Sequence, residues 1–375
     1  MLKNKVLFIL HLPPPIHGAT IVGKCIYDSD LVKNSFDSDY INLTTSRELS
    51  DMGKEGYRKL LIFIKLYYRV LKAVAKKRYD LCYLTINSKG AGYYKEMVIV
   101  LILKLFRCKI IYHYHNKGIV DRQNNFVLNL LYRFQFKNSR VILLSPLLYD
   151  DVKKYLPPDK VYYCPNGIPV SENIDLAKLN EYRISKHIPE ILFISNIMAD
   201  KGVFILLNAS KKLIDQNIKF KVTFIGDWLD ISESELNNYI SSNELKDYVS
   251  FEGKKFGVEK SFYLLRADIF VHPTLNDCFP LTVLEAMQYG LPIVSTFEGG
   301  IPDMLTDGEC GYLVNKNDEK KLSEKMKFLI ENPYERQLMG QAAKFRFDEF
   351  FTIQIFENNL VKVLKLAIQD NSQQL

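Results

Sequence analysis

The sequence lacks the features that mark secreted, membrane-spanning or metal-stabilised proteins. Its six cysteines are scattered, with no C-x-x-C pair and no spacing typical of zinc ligands, so neither a disulfide framework nor a structural metal is indicated. The longest apolar stretch, residues 97–106, contains Lys104 and is shorter than the roughly 20 residues that a membrane span requires. We therefore expect a cytoplasmic protein with no bound metal or cofactor.

Length and patterning predict two α/β domains. At 375 residues the chain exceeds the usual size of one hydrophobic core. Short β-branched or aromatic runs alternate with helical patterns from KVLFIL to RVILLS, and the alternation restarts at EILFIS. Such alternation is typical of doubly wound parallel sheets, so we expect Rossmann-like domains over 1–175 and 176–350. The helical pattern of 351–375 predicts a last helix that packs back across the domains.

The net charge of +7 is concentrated in residues 54–78. Cations alternate there with Leu, Ile, Phe, Tyr and Val at helical spacing, which predicts a basic amphipathic helix. Such a helix can lie on an anionic membrane surface, which would make the protein peripheral at the cytoplasmic face. A core-facing helix with a solvated basic side explains the pattern equally well. No nucleic-acid motif accompanies the charge, so we expect no nucleic-acid partner.

The most informative segment is residues 267–305, which reads as strand, loop, helix, strand, glycine loop and helix. Pro280 suits the first turn of the helix, where its missing N–H group is no loss. The amide groups of Leu281, Thr282 and Val283 would then point into the loop. A helix that starts at the carboxyl end of a parallel strand forms an anion site, suited to the diphosphate of a nucleotide sugar.

Two acids flank this predicted anion site. Asp277 precedes the helix and Glu285 lies inside it, so the two side chains cannot share one helical face. A carboxylate accepts hydrogen bonds from two hydroxyl groups, which suits Asp277 to the sugar and Glu285 to the ribose. Each acid by itself is also compatible with an ordinary solvated surface charge.

The segment resembles the donor-binding signature of the retaining glycosyltransferases of family four, whose members have the GT-B fold. The resemblance rests on the acid Asp277, on Phe279, and on the sequences EAM at 285–287, GLPIV at 290–294 and GGIPD at 299–303. It implies two Rossmann-like domains facing a central cleft and a glycosyltransferase that moves a sugar with retention of configuration. It also implies that no metal is needed.

The resemblance extends to residues outside the segment. It assigns donor binding to Gly18, Asn196, Lys201, Asp277, Phe279, Pro280, Leu281, Thr282 and Glu285, and catalysis to His115, Lys201 and Asp277. Three of these positions depart from the family pattern. Aspartate stands at 277 where glutamate is usual, asparagine at 196 where an arginine is usual, and Pro280 where glycine is usual.

The family further implies a UDP-sugar donor and a glycan or polyprenyl-linked acceptor, as in cell-surface polysaccharide assembly. Two alternatives stay open: a sugar-nucleotide epimerase of the same fold, and a non-catalytic membrane-associated subunit that has lost activity. Two D-S-D sequences, at 28–30 and 37–39, resemble a metal-binding motif of another glycosyltransferase fold, but we interpret them as surface acids. Metal binding by the alternating His113 and His115 has no supporting acid or cysteine nearby.

Overall fold

The computed structural model describes residues 3–44, 57–171, 174–185 and 188–369, with only the backbone described at 57–60. The chain divides into two compact units. The first comprises residues 1–167 and 353–375, and the second comprises residues 168–352. The observed division therefore falls a few residues before the predicted one at 175/176.

The first unit is built on a six-stranded parallel sheet in the order β2-β1-β3-β4-β5-β6. Its strands are β1 Lys5–Leu10, β2 Asp37–Asn42, β3 Leu81–Thr85, β4 Ile110–His113, β5 Arg140–Leu143 and β6 Val161–Tyr163. Its helices are α1 Gly18–Asp28, α2 Asp30–Ser35, α3 Tyr57–Lys76, α4 Gly90–Leu105, α5 Ile119–Arg122 and α6 Phe126–Phe136. The apolar runs that predicted these central strands are buried because helices cover both faces of the sheet.

The order of the strands determines which helices share a face. The connections through α3, α4 and α6 each advance in the same direction across the sheet, whereas the connection from β1 to β2 runs the other way. Because crossovers between parallel strands are right-handed, α3, α4 and α6 lie on one face and α1 and α2 on the opposite face. In agreement, α3 packs on α4, and α4 packs on α6.

The second unit repeats this architecture in the strand order β12-β11-β10-β7-β8-β9. Its strands are β7 Glu190–Ile194, β8 Lys221–Ile225, β9 Val249–Phe251, β10 Ile269–His272, β11 Ile293–Thr296 and β12 Gly311–Val314. Its helices are α7 Leu176–Ser185, α8 Val203–Ile214, α9 Glu233–Ser242, α10 Gly257–Arg266, α11 Leu281–Gln288, α12 Ile301–Met304, α13 Glu319–Glu331 and α14 Pro333–Phe350. The prediction of two doubly wound parallel sheets is confirmed.

The chain ends in α15, Ile353–Gln369, which belongs to the first unit and contacts α2 and β3 there. The predicted run of helices without a strand after Asp318 is confirmed for the described residues to 369. That this last helix spans both domains stays a prediction. Two edge strands, β6 and β12, were not predicted, because runs of three and four residues carry too little periodicity to identify.

The basic helix forms over the described part of its predicted range, as α3, while residues 54–56 lie outside the described residues. Its core-facing stripe is Leu66, Val70 and Val74, all buried. Five further apolar side chains on this helix are exposed by 41–61% of their surface: Leu61, Ile62, Ile64, Tyr68 and Leu71. The helix thus has a core face and, in addition, an outer side that mixes apolar residues with cations. Among the described residues no helix combines the length and apolar character needed to cross a membrane.

A buried arginine joins three helices of the second unit. The guanidinium of Arg183 on α7 donates to the main-chain oxygens of Tyr289 and Gly290, each at 3.1 Å, and to that of Leu264 at 3.0 Å. These oxygens belong to the ends of α11 and α10, where helix carbonyl groups have no partner within the helix. Arg183 therefore satisfies carbonyl groups that would otherwise be buried without a donor.

We expect Arg183→Met to lower the free energy of unfolding by about 3 kcal/mol, because three buried carbonyl groups lose charged donors. Urea denaturation would measure this loss. The control is Lys178→Met, an exposed position on the same helix, which should change stability by less than about 0.5 kcal/mol. Equal effects of the two substitutions would contradict the structural role of Arg183.

Candidate active site

In the second unit, glycines allow the loops at the carboxyl edge of the sheet to press together. A Cβ atom on Gly226, after β8, would lie 1.8 Å from the main-chain oxygen of Ser195, after β7. Gly202 has φ +78°, and its Cβ atom would lie 2.0 Å from the oxygen of Pro273, after β10. Only glycine, which has no Cβ atom, fits at these two positions. The loops after three strands are therefore held together at one edge, where ligands of such folds bind.

Helix α11 begins at this edge. Pro280, which was predicted to lie in the first turn, is the N-cap residue, so the helix itself begins at Leu281. The amide of Val283 donates to the oxygen of Pro280 at 3.2 Å. This leaves Leu281 and Thr282, both half-buried, as the first amides of the helix, and corrects the expectation that the amide of Val283 is also free. The positive end of the helix points toward the loop that carries Asp277.

Lys201 and Asp277 form an ion pair at this edge. Nζ of Lys201 lies 2.6 Å from Oδ2 of Asp277, and only 19% and 18% of the two side chains are exposed. Burial opposes ionisation of Asp277, but the hydrogen bond from His272 and the charge of Lys201 hold the pKa of this carboxyl well below its usual range. The structure thus brings together the two predicted catalytic residues of the second unit.

His272 is a third member of this group that the sequence did not identify. Its Nε2 lies 3.4 Å from Oδ2 of Asp277, and the ring is buried between Phe193 and Phe270. Burial lowers the pKa of His272, so the ring is neutral at pH 7 and donates its Nε2 proton to the carboxylate. The available signal was a histidine at the end of a predicted strand, close in sequence to Asp277.

A second acid, Glu298, holds the loop of Asp277 through a hydrogen bond to its main chain. The amide of Asp277 donates to Oε1 of Glu298 at 3.2 Å, while Lys316 lies 2.8 Å from Oε2 of the same glutamate. Glu298 is buried, with only 3% of its surface exposed. Beside it, Gly299 has φ +54°, and a Cβ atom there would lie 2.2 Å from the oxygen of Asp277. Gly299, the first glycine of the Gly-Gly motif, therefore allows the two loops to touch.

Glu285 lies one turn inside α11 and is bound on one side only. Its Oε1 accepts a hydrogen bond from Nζ of Lys260 on α10 at 2.6 Å. Its Oε2 is buried and has no hydrogen-bond partner among the described residues. Buried carboxylate oxygens are normally satisfied, so this free oxygen is the atom of the site most suited to a ligand hydroxyl group.

The remaining donor-binding candidates of the second unit occupy different environments. Asn196 is half-buried in the loop after β7. Phe279 is 4% exposed, and its ring packs edge-on against Phe351 at 5.9 Å, so the structure places that side chain in the core. The backbone of Phe279 is the part that remains at the edge of the sheet.

In the first unit, His115 follows the end of β4. Its ring lies 4.2 Å from that of His113, as the alternation of these residues predicts. Both ring nitrogens of His115 are buried, and the Asn166 side chain beside the ring does not reach either nitrogen with good hydrogen-bond geometry. Burial, with the neighbouring His11 and His17, lowers the pKa of His115 to about 3, and the adjacent Asn166 side chain opposes this shift only in part. The imidazole is therefore neutral at physiological pH.

A buried glutamate organises the same edge of the first sheet. Oε1 of Glu96, a fully buried residue on α4, lies 3.0 Å from Nε2 of His11, and Oε2 accepts from the amide of Asn87 at 2.6 Å. Asn87 in turn accepts a hydrogen bond from Asn116, the neighbour of His115. Glu96 thus connects the loops after β1, β3 and β4, and sequence patterning alone gave no signal for it.

Gly18 is the exposed first residue of α1, after the N-cap His17. The close approach in this region is instead at Gly23, where a Cβ atom would lie 2.0 Å from the oxygen of His11. Burial, with His11 nearby, lowers the pKa of His17 to about 4, so this ring too is neutral.

Metal-ligand geometry is not present in the described residues, where no group of three or more His, Cys, Asp or Glu side chains is placed to hold an ion. Three of the four acids of the D-S-D sequences have lysine partners. Asp28 pairs with Lys24 at 2.5 Å, and Asp37 and Asp39 pair with Lys77 at 3.1 and 2.9 Å. Their interpretation as surface acids is consistent with these contacts.

Comparison with known sequences finds a family model that matches most of the second unit. The model of the family described as glycosyl transferases group 1 matches residues 177–346. The amylovoran biosynthesis glycosyltransferase AmsK of Erwinia amylovora is 29% identical over 200 residues, which cover 51% of this chain and 49% of that protein. The N-acetyl-alpha-D-glucosaminyl L-malate synthase of Bacillus anthracis is 26% identical over 244 residues, 64% of this chain and 62% of that protein. The chain therefore spans only about half to three-fifths of the length of these relatives.

Solved structures match nearly the whole chain. Sucrose-phosphate synthase from Thermosynechococcus elongatus has a TM-score of 0.72 at 16% identity, over 98% of this chain and all of that one. Anabaena HepE in complex with UDP and glucose has a TM-score of 0.70 at 17% identity, over 97% of this chain and all of that one. At such identities the likeness shows the fold alone, and that fold is GT-B, as predicted.

We expect the imidazole of His115 to stay neutral as the pH falls from about 8 to about 5, whereas an unperturbed histidine titrates near 6.5. Its Cε1 proton resonance, assigned by its loss in His115→Gln, would report this. Because the unfolded chain gains this proton near pH 6.5 and the folded chain does not, the stability from neutral His115 is present above that pH and is lost as the pH falls toward 3. Titration near pH 6.5 would contradict the burial of this ring.

We expect Gly299→Ala to be more damaging than Gly308→Ala. Both glycines have positive φ, so both substitutions carry the strain of a left-handed residue, about 1–2 kcal/mol. Only at Gly299 does the new Cβ atom meet backbone, and displacing it should lower stability by a further 1–3 kcal/mol, roughly. Urea denaturation compares the stability of the two variants directly. Equal midpoints would contradict the prediction, because they would show that the loop of Asp277 moves to accommodate the Cβ atom with no loss of stability.

Proposed function

We propose, from the premise that residues 177–346 belong to the glycosyl transferases group 1, that this chain transfers a sugar from a nucleotide-diphosphate sugar to an acceptor hydroxyl group. The observation that carries the proposal is the group Lys201, Asp277 and Glu285 around the start of α11. A cation, a helix start and two acids with separate positions match the diphosphate, the sugar and the ribose of such a donor.

The ion pairs of the free protein suggest how the donor enters. A diphosphate at the start of α11 would draw Lys201 away from Asp277, since phosphate carries more charge than one carboxylate oxygen. Asp277 would then accept hydrogen bonds from the sugar hydroxyl groups. Glu285 has a free Oε2 for a ribose hydroxyl group, while Lys260 keeps its other oxygen in place.

The proposed reaction proceeds with retention of configuration and without a metal. The bond from the anomeric carbon to the diphosphate oxygen breaks, a bond to the acceptor oxygen forms on the same face, and the acceptor proton passes to the departing diphosphate. Lys201 and the helix start would stabilise the charge that develops on the leaving group. Catalysis then depends on positioning and electrostatics rather than on a protein nucleophile. His115 remains the proposed sugar-contacting histidine of the first unit.

We favour UDP as the nucleotide, in line with the family resemblance. A structure with the same fold, that of Anabaena HepE, contains UDP and glucose, which supports this choice by analogy only. For the acceptor we propose a glycan or polyprenyl-linked sugar in cell-surface polysaccharide assembly. The name of the relative AmsK, a glycosyltransferase of amylovoran biosynthesis, supports that direction.

The same proposal includes a peripheral position at the cytoplasmic face of a membrane, with residues 54–78 on the anionic lipid surface. The exposed side of α3 supports it, because apolar side chains such as Leu61, Ile64 and Tyr68 lie there among cations. The helix contains no acid at all. A helix with these properties binds anionic interfaces through both burial and charge.

Calorimetric titration of UDP, GDP and ADP, with a chelator present, tests the donor site. We expect micromolar binding of UDP, and Glu285→Ala should weaken it about 10- to 100-fold because a hydrogen bond to a charged group is lost. The control is Glu244→Ala, whose side chain is 83% exposed on the surface of the second unit, and it should bind UDP normally.

Failure of all three nucleotides to bind a folded protein would reject the transferase and favour the non-catalytic subunit, to which Asn196 and Asp277 also point. Turnover of a UDP-sugar without any acceptor would instead indicate the epimerase. A requirement for the removed metal would contradict the metal-independent mechanism.

A further inference from the structure

A basic cavity of about 980 Å³ lies in the first unit, away from the residues discussed above. Six of its lining side chains are cations: Lys104, Arg107, Lys109, Lys137, Arg140 and Lys160. The described residues that line it include no carboxylate. Aromatic and apolar groups, among them Phe134 and Tyr155, complete the wall. A concave site of this composition attracts an anion strongly.

The cavity is at the opposite edge of the sheet from His115. Lys109 immediately precedes β4, Arg140 begins β5, and Lys160 immediately precedes β6, so these cations stand at the amino ends of the strands. His115 follows the carboxyl end of β4. The cavity is therefore separate from the edge at which the proposed chemistry takes place.

Lys104 shows that the cations of this cavity lie close together. Its Nζ donates to the main-chain oxygen of Lys137 at 2.6 Å and to Oγ of Ser139 at 3.2 Å. Burial, followed by the charge of Lys137, lowers the pKa of Lys104 to about 8. A bound anion would relieve this repulsion, since opposite charge favours the protonated lysine.

Two exposed apolar stripes lead to the cavity along adjacent helices. On α4 the stripe is Tyr94, Val98, Leu101 and Leu105, and on α6 it is Phe126, Leu130 and Phe134, with 38–82% of each residue exposed. The only acid of α4, Glu96, is fully buried, and α6 contains none. Large exposed apolar surfaces without acids mark interaction sites. Charge complementarity therefore selects an anionic partner that also accepts apolar side chains.

We propose that the basic cavity binds the phosphate of an anionic phospholipid headgroup while the exposed apolar residues of α4 and α6 enter the bilayer interface beside it. A phospholipid supplies both elements at once, because its phosphate suits the cations and its acyl region suits Leu105 and Phe134. The helices α3, α4 and α6 share one face of the sheet, so one membrane surface can contact all three. The inference rests on the proposed membrane association but not on sugar transfer.

Co-sedimentation with vesicles of phosphatidylcholine, with and without phosphatidylglycerol, tests the site. The cavity variant Arg107→Asn/Lys109→Gln/Lys137→Gln removes three exposed cations, with asparagine at 107 because the backbone there has φ +55°. We expect its affinity for phosphatidylglycerol vesicles to fall roughly 100-fold, about five-fold per cation. The matched control Lys212→Gln/Lys219→Gln/Lys246→Gln removes three exposed cations from the second unit and should bind as the unchanged protein does.

Hydrogen exchange separates binding in the cavity from general attraction to the charged surface. On phosphatidylglycerol vesicles we expect slower exchange of the amides at 104–109 and 137–140. The variant Lys65→Gln/Arg69→Gln/Lys72→Gln, which removes three of the six cations of α3, should bind more weakly yet keep this protection in its bound fraction. Loss of cavity protection in the α3 variant would overturn the headgroup site.

Three other outcomes would overturn the proposal. The cavity variant could bind vesicles as the unchanged protein does, or the protein could bind phosphatidylcholine vesicles as well as those that contain phosphatidylglycerol. Finally, glycerol phosphate, at the same concentration as the phosphatidylglycerol, could abolish vesicle binding. The last would identify a soluble phosphate compound instead of a membrane lipid. Vesicle binding is measured without nucleotide, so failure to bind UDP would reject the transferase and leave this inference standing.

Discussion

The carboxyl edge of the second unit depends on the negative charge of Asp277. Asp277, in the loop after β10, is ionised at the carboxyl edge of the sheet because Lys201 reaches it from the loop after β7 and His272 from the end of β10. Burial of an unpaired carboxylate would be strongly unfavourable, so this charge fixes the distance between those loops. The glycine contacts at Gly202 and Gly299 then follow, since the loops cannot come this close with a side chain between them.

The sequence predicted what is periodic or local, and it missed what depends on long-range pairing. The central strands and the start of α11 within one residue could be predicted from apolar runs and from Pro280. The edge strands β6 and β12 are too short for this. Glu96 could not be predicted as a site residue, because its partner His11 is 85 residues away and no local pattern distinguishes a buried glutamate in a helix. Lys260, likewise, could not be identified as a site residue, because its partner Glu285 is distant in the sequence.

The two units prepare their polar edges in different ways. In the second unit acids and lysines neutralise one another in pairs, whereas in the first unit burial, with His11 nearby, lowers the pKa of His115 and of His17, so these two rings remain uncharged. Each edge nevertheless leaves certain buried atoms without a hydrogen bond of good geometry in the described part of the chain, namely Oε2 of Glu285 and the ring nitrogens of His115. Folding alone does not account for such atoms, because water or protein would normally satisfy them. A ligand that forms hydrogen bonds with these atoms would gain the most binding free energy.

Asn196 raises the question of how this site would bind a diphosphate without the usual arginine. Three lysine–acid pairs surround α11: Lys201 with Asp277, Lys260 with Glu285, and Lys316 with Glu298. In the free protein these pairs sum to no net charge, so the helix start provides the first attraction. On the proposed function, a phosphate then competes with each acid for its lysine, and an acid released in this way becomes an acceptor for sugar or ribose hydroxyl groups. Exchange of partners within existing pairs can therefore replace a dedicated cation, provided that the donor supplies both phosphate and hydroxyl groups at once.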